Sequence, residues 1–170
     1  SIKSKSSTNT HKIFDSTQNA EPIEVFFSYE ESDERLVEQL RHQLYVFKRN
    51  NLITNWYTRQ IVPGQKPDEE ITRHLSNAQI ILLLISPSFM ASEHHSIEVQ
   101  RAMERCEAGE AIIIPILLRP TAHWHDTAFG KLQIIPRNGK AVTLWPNADL
   151  AFAQVAEEIG EVIKLSLIHI

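Results

Sequence analysis

The chain has 170 residues, 42% of them apolar and 22% charged, with a net charge of −4 at neutral pH; that suits one globular domain on the usual scale of about 150 residues. The longest apolar run, Ile80–Ile85, is strand-sized against the roughly 20 residues that cross a membrane, and the acidic balance argues against direct nucleic-acid binding driven by bulk charge. A single cysteine, Cys106, excludes an intrachain disulfide scaffold and a cysteine metal cage.

Residues 1–22 are rich in Ser, Thr, Asn and Lys, with Ile13-Phe14 as the only apolar pair. Such a segment cannot offset its own ordering entropy and reads as a flexible tail or linker. It lacks the apolar stretch of a secretory leader, so a cytoplasmic location is the expectation. Ile23–Ser28 is a buried-type strand. Tyr29–Glu34 forms a polar loop in which Ser32 or Asp33 can cap a helix. That helix carries Leu36, Val37, Leu40, Leu44 and Phe47 at helical spacing to about Lys48. Ile53–Trp56 is a second strand, and Tyr57–Lys66 a loop containing Pro63-Gly64. Pro67 opens a helix whose buried face is Ile71 and Leu75.

Gln79–Ser86 is continuously apolar, as expected of a parallel strand covered on both faces. Ser96–Glu107 is helical by period, with Ile97, Val99, Ala102, Met103 and Cys106 apolar. Ala111–Leu118 is a fourth strand whose Pro115 marks an interruption or an edge. Arg119–Lys140 is irregular, Ala141–Trp145 a short fifth strand, and Asp149–Ile163 a closing helix with Phe152, Val155, Ile159 and Ile163 inward. The alternation predicts an α/β, flavodoxin-like three-layer sandwich around a five-stranded parallel sheet. Ligands in such sheets gather beyond the carboxyl ends of the strands.

The loops exclude several chemistries. Five glycines are present, and no GxGxxG or P-loop can be assembled from them. A phospho-receiver would need an aspartate after strand three, where Ser86-Pro87-Ser88 stands. Ser28 and Ser86 read as caps, and there is no GxSxG. His94-His95 and His123-Trp124-His125 read as solvated loop histidines, so no metal is expected. Glu98 stands out. It lies just inside the helix that follows the strongest strand, between Ile97 and Val99, and from position alone it also fits a first-turn partner of the helix dipole.

Five segments taken together carry a resemblance: Phe26–Asp33 (FFSYEESD), Trp56–Ile71 (WYTRQIVPGQKPDEEI), Leu83–Arg105 (LLISPSFMAS…IEVQRAMER), Ile113–Pro120 (IIPILLRP) and Val142–Ile159 (VTLWPNADLAFAQVAEEI). In this order and with these gaps the chain resembles a bacterial TIR (Toll/interleukin-1 receptor) domain over 23–163, leaving 164–170 as a C-terminal extension. Many such domains cleave NAD+ at the nicotinamide–ribose bond, with a catalytic glutamate in an S-x-x-x-x-x-E context. Ser92 and Glu98 match it. The cysteine often found before this glutamate is His95 here, an exchange expected to matter little.

The resemblance further implies substrate contacts from Phe27, Ser28, Tyr29, Arg59, Ser92 and Trp145. It implies a BB loop at Gln60, Ile61, Val62, Pro63 and Gly64 that mediates head-to-tail self-association, open to filaments. Thr58 replaces an aspartate common before the arginine. NAD+ would be substrate, and no separate cofactor is implied. The expected role is an NAD+ nucleosidase, hydrolase or cyclase, serving as the effector of a bacterial immune protein and fused to a sensor or oligomerising region. The alternative is a non-enzymatic TIR–TIR signalling module. A nucleoside 2-deoxyribosyltransferase-like enzyme is a remote third, lacking the further acidic and amide residues it would need.

Overall fold

Strand β1 (Ile23–Ser28) pairs in parallel with β2 (Ile53–Trp56) on one side and β3 (Ile80–Ile85) on the other, and β4 (Ile112–Leu117) pairs with β3. The order is β2-β1-β3-β4. These relations come from a computed structural model, which describes residues 21–168. Of the tail assigned to 1–22, only Glu21 and Pro22 fall within that range.

Period-two alternation divides the core into two layers. Ile80, Leu82 and Leu84 of β3 join Val25, Phe27 and Ile116 on one face, against Leu40 and Leu44 and against Phe152, Val155 and Ile159. Ile81, Leu83 and Ile85 join Phe26 and Ile113 on the other, against Ile71, Leu75 and Ala102. Every residue of β3 is buried, which explains why its sequence is unbroken in apolar character.

The helices are α1 (Glu34–Gln43), α2 (Tyr45–Arg49), α3 (Pro67–Asn77), α4 (Pro87–Ala91), α5 (Glu93–Glu107) and α6 (Ala148–Ile168). The single helix expected to Lys48 is broken at Leu44, whose N–H is shared between the carbonyls of Leu40 and Arg41. Helix α5 starts three residues before the expected Ser96, capped by Ser92. Ile97 on it is 54% exposed, contrary to its apolar reading.

Two expectations need correction. The sheet has four strands among the described residues, not five. Val142–Leu144 is a 3-10 turn, because the N–H groups of Leu144 and Trp145 bond the carbonyls of Ala141 and Val142, three residues back. Only Thr143 reaches across, to the Leu118 carbonyl. The closing helix, expected to end at Ile163, continues unbroken to Ile168.

Pro115 sits on the outer strand, as its missing N–H requires. Leu117, two residues on, sends its N–H outward to the Ile135 carbonyl, and Ile135 returns its own N–H to the Pro115 carbonyl, both at 2.9 Å. The Pro115 nitrogen faces that same outer side, so no bond to β3 is lost.

Candidate active site

At the carboxyl end of β1 the chain presents Ser28, which is 1% exposed. Its hydroxyl donates to Glu98 Oε2 at 2.6 Å. Ser28 is thus a donor to the candidate acid and caps no helix. Ser86, at the end of β3, does cap: its Oγ accepts the Phe89 N–H at 3.1 Å.

Glu98 reaches this place because of helical periodicity. Ser92 caps α5 by accepting the His95 N–H at 3.4 Å. From that cap, His95, Glu98 and Ala102 fall on the buried face of the helix, at the i, i+3, i+7 spacing of a single stripe. The desolvation of Glu98, 4% exposed, comes from that stripe and not from Ile97.

His95 Nδ1 lies 3.0 Å from Glu98 Oε2, and His95 Nε2 lies 3.0 Å from Glu30 Oε2. The ring stacks on Phe89 with centroids 4.9 Å apart. His94 Nε2 stands 3.3 Å from Glu98 Oε1. Both histidines were expected to be solvated loop residues. Both are helical, His95 is buried, and both converge on one carboxylate because they stand at i−4 and i−3 from it. The exchanged position thus holds a titratable ring in direct contact with Glu98. That spacing was present in the sequence and is the signal that could have found it.

Burial pushes the Glu98 carboxyl up, but hydrogen bonds from His95 and Ser28 and the charges of His95 and His94 outweigh it, so its pKa lies below the ordinary value. For His95 burial pushes down, and the hydrogen bond and charge of Glu98, with the charge of Glu30, win and raise it.

Beside these groups opens a cleft of about 460 Å³. Tyr29, Glu30, Glu31 and Glu34 line one side, Thr58 and Arg59 a second, and Ser92, His94 and His95 the third. Glu34 organises the rim. It accepts from the Tyr29 hydroxyl and from Arg41 at 3.0 Å, and Arg59 comes within 3.5 Å. Burial raises its pKa, but the Tyr29 and Arg41 hydrogen bonds and the charges of Arg41 and Arg59 bring it net below the ordinary value. Burial, then the Glu34 hydrogen bond and charge, push the Tyr29 hydroxyl well up. Arg41 lies over the Tyr57 ring, 4.1 Å from its centroid. Glu98 itself stands behind His94 and His95.

Of the expected contacts, Tyr29, Arg59 and Ser92 line the cleft, and Ser28 touches Glu98. Phe27 does not reach it. It is 1% exposed in the core, edge-on to Tyr57. Trp145 packs against the α6-side core and donates Nε1–H to the Lys140 carbonyl at 3.0 Å, so neither can stack on a ligand in the cleft. Glu30, Glu31, Glu34 and Arg41 are outside the expected set, since only folding brings their segments to this cleft.

The Gln60–Gly64 loop is shaped by its own sequence. The Val62 carbonyl accepts from Gln65 N–H at 3.1 Å, and Gly64 has φ +95°. Pro63 and Gly64 at the two central positions, with positive φ at the second, make a type II turn. Val62 is 56% exposed at its tip. Among the described residues no cluster of three or more His, Cys, Asp or Glu side chains could hold a metal ion, and no helix is long and apolar enough to cross a membrane.

The fold and this site define a class. The family model for the TIR domain (TIR_2) matches residues 25–153, and the chain belongs to that family. A curated relative, uncharacterized protein y4lF of Sinorhizobium fredii (strain NBRC 101917 / NGR234), is 49% identical over 138 residues, covering 81% of this chain. The chain spans 42% of that relative's length. Among solved structures, the TIR domain of the Toll-related receptor TRR-2 from Hydra magnipapillata is similar with TM-score 0.47 and 21% identity, over 61% of this chain and 78% of that one. The TIR domains of the activated Roq1 resistosome, which directly recognises the pathogen effector XopQ, give TM-score 0.46 and 18% identity over 55% and 56%.

Proposed function

We propose that this TIR domain cleaves NAD+ at the nicotinamide–ribose bond, with Glu98 as its catalytic carboxylate. The observation that carries the reading is a buried carboxylate, kept ionised by Ser28 and His95, at the carboxyl end of the sheet beside a polar cleft.

The chemistry follows from charge. The C1′–N bond breaks with its electron pair passing to the pyridinium nitrogen, which neutralises the leaving nicotinamide. A cationic, oxocarbenium-like ribose remains. An ionised carboxylate stabilises that developing charge in a low-dielectric pocket. Water then adds at C1′ and loses its proton, giving ADP-ribose, or an internal nucleophile adds and closes a cyclic product. The leaving group is already cationic, so no strong general acid is required. Glu30, Glu31 and Glu34 give the cleft a negative wall suited to the pyridinium, and Arg59 supplies a cation for the diphosphate. Substrate contact requires His94, 54% exposed on its side chain, to leave Glu98 Oε1.

We further propose that the exposed turn at Gln60–Gly64 supports head-to-tail self-association, and that a neighbouring region of the full protein drives it, as in a bacterial immune effector. Incubation with NAD+ at rising protein concentration tests both points. Nicotinamide release per molecule should climb with concentration, and Glu98→Gln should lower it by at least about 100-fold. The covered state of Glu98 favours one rival, a non-enzymatic TIR–TIR module; it predicts no nicotinamide at any concentration.

A further inference from the structure

We propose that His95 is a positioning residue for Glu98: as an imidazolium it bridges Glu98 and Glu30, anchors Glu98 Oε2, and leaves Oε1 as the oxygen offered to the ribose. The activity half of this inference rests on the NAD+-cleaving reading; the bridge itself does not.

The ring geometry demands the charged form. Both ring nitrogens lie 3.0 Å from carboxylate oxygens. An ionised carboxylate only accepts, and a neutral imidazole has one N–H and one lone pair. A neutral ring would turn its lone pair toward an anion, whereas an imidazolium donates at both ends. Phe89 stacked on the ring face fixes its plane, so rotation cannot relieve a mismatch.

The two oxygens of Glu98 are held unequally. Oε2 takes the Ser28 hydroxyl and the His95 N–H. Among the described residues Oε1 meets only the half-exposed His94 ring at 3.3 Å. One firmly anchored oxygen and one loosely held oxygen orient a carboxylate, and orientation is worth much in rate: a misplacement of about 1 Å can cost about 100-fold. Other charged groups near His95 are the edge-on His94 on α5 and, across the cleft, Glu31, Glu34 and Arg59. Phe89, from α4, adds none. The surroundings are dominated by carboxylates and favour the proton.

Above the raised pKa of His95, the ring loses one N–H and one carboxylate is released. Nicotinamide release should therefore decline on the alkaline side. Glu30→Gln removes one of the two anions that hold the proton, so the decline should begin at lower pH.

Nitrogen-15 NMR of the histidine rings, recorded against pH on the chain without substrate, tests the bridge. The expected result is His95 protonated on both nitrogens at neutral pH, with its midpoint lowered in Glu30→Gln. A single-tautomer neutral His95 at pH 7 overturns the proposal even if NAD+ is cleaved. Steady-state kinetics test the consequence. His95→Gln should lower kcat by about 10- to 100-fold with KM little changed, and should flatten the alkaline limb. An unaltered pH profile in that variant overturns the positioning role. Absence of nicotinamide release from the unmodified chain instead sinks the NAD+ reading and leaves the NMR result to judge the bridge.

Discussion

Two buried carboxylates stand at neighbouring strand ends, each tied to a serine and a cation. Asp33 accepts from Ser86 Oγ on one oxygen and from Arg119 Nε at 2.7 Å on the other. Glu98 accepts from Ser28 and His95. The parts match, but the cations differ. Arg119 keeps its charge at every physiological pH, so the Asp33 cluster is a fixed clasp joining the ends of β1, β3 and β4. His95 titrates and adjoins the cleft, so the Glu98 cluster is adjustable. A fold can secure one acid for good while keeping the next responsive, and the choice of cation decides which.

Exchanging the acids should separate these roles. The largest effect is functional: Glu98→Gln removes nicotinamide release, and its stability loss is confined to the ionic part of the His95 contact, since an amide retains an acceptor for Ser28. Asp33→Ala should do the reverse. It strands the Ser86 hydroxyl and the Arg119 guanidinium, costing roughly 2–3 kcal/mol after allowing for the partly exposed arginine. Urea denaturation reads this directly, and equal destabilisation by both variants would collapse the distinction.

A smaller, pH-dependent effect follows from the pKa directions. The raised His95 contributes stability that is fully present below its unfolded value near 6.5 and is lost as pH rises through the folded value. The lowered Glu98 contributes stability present above its unfolded value near 4.5 and lost as pH falls through the folded value. Urea midpoints between pH 5 and 9 should decline toward the alkaline end, and His95→Gln should remove that slope. Smallest is Gly64→Ala, where φ +95° disfavours any side chain. About 1 kcal/mol is expected there, detectable as a shift of a few degrees in melting.

Strands β1 to β4 were legible, β3 most plainly, because burial on both faces writes itself as an unbroken apolar run, Ile80–Ile85. The fifth strand failed because Ala141–Trp145 looks the same as a strand until its N–H groups are seen bonding three residues back. Glu98 was legible through its S-x-x-x-x-x-E frame. The link from His95 to Glu98 lies in a helical i, i+3 spacing, which the adjacency of His94 and His95 masks. Glu30 lies 65 positions from His95, and no local pattern could have joined them. Phe27 misled because an aromatic at a strand end fits a ligand platform and a core equally well until alternation assigns its face.

The outer rim of β4 bears on how copies of this domain could meet. Unpaired strand edges invite neighbouring chains to add on and grow a continuous ribbon, often without reversal. Here Pro115 has no hydrogen to give an incoming strand, and Ile135 already occupies the Pro115 carbonyl and the Leu117 amide. That margin is blunted. Addition of another strand along this edge is thereby disfavoured.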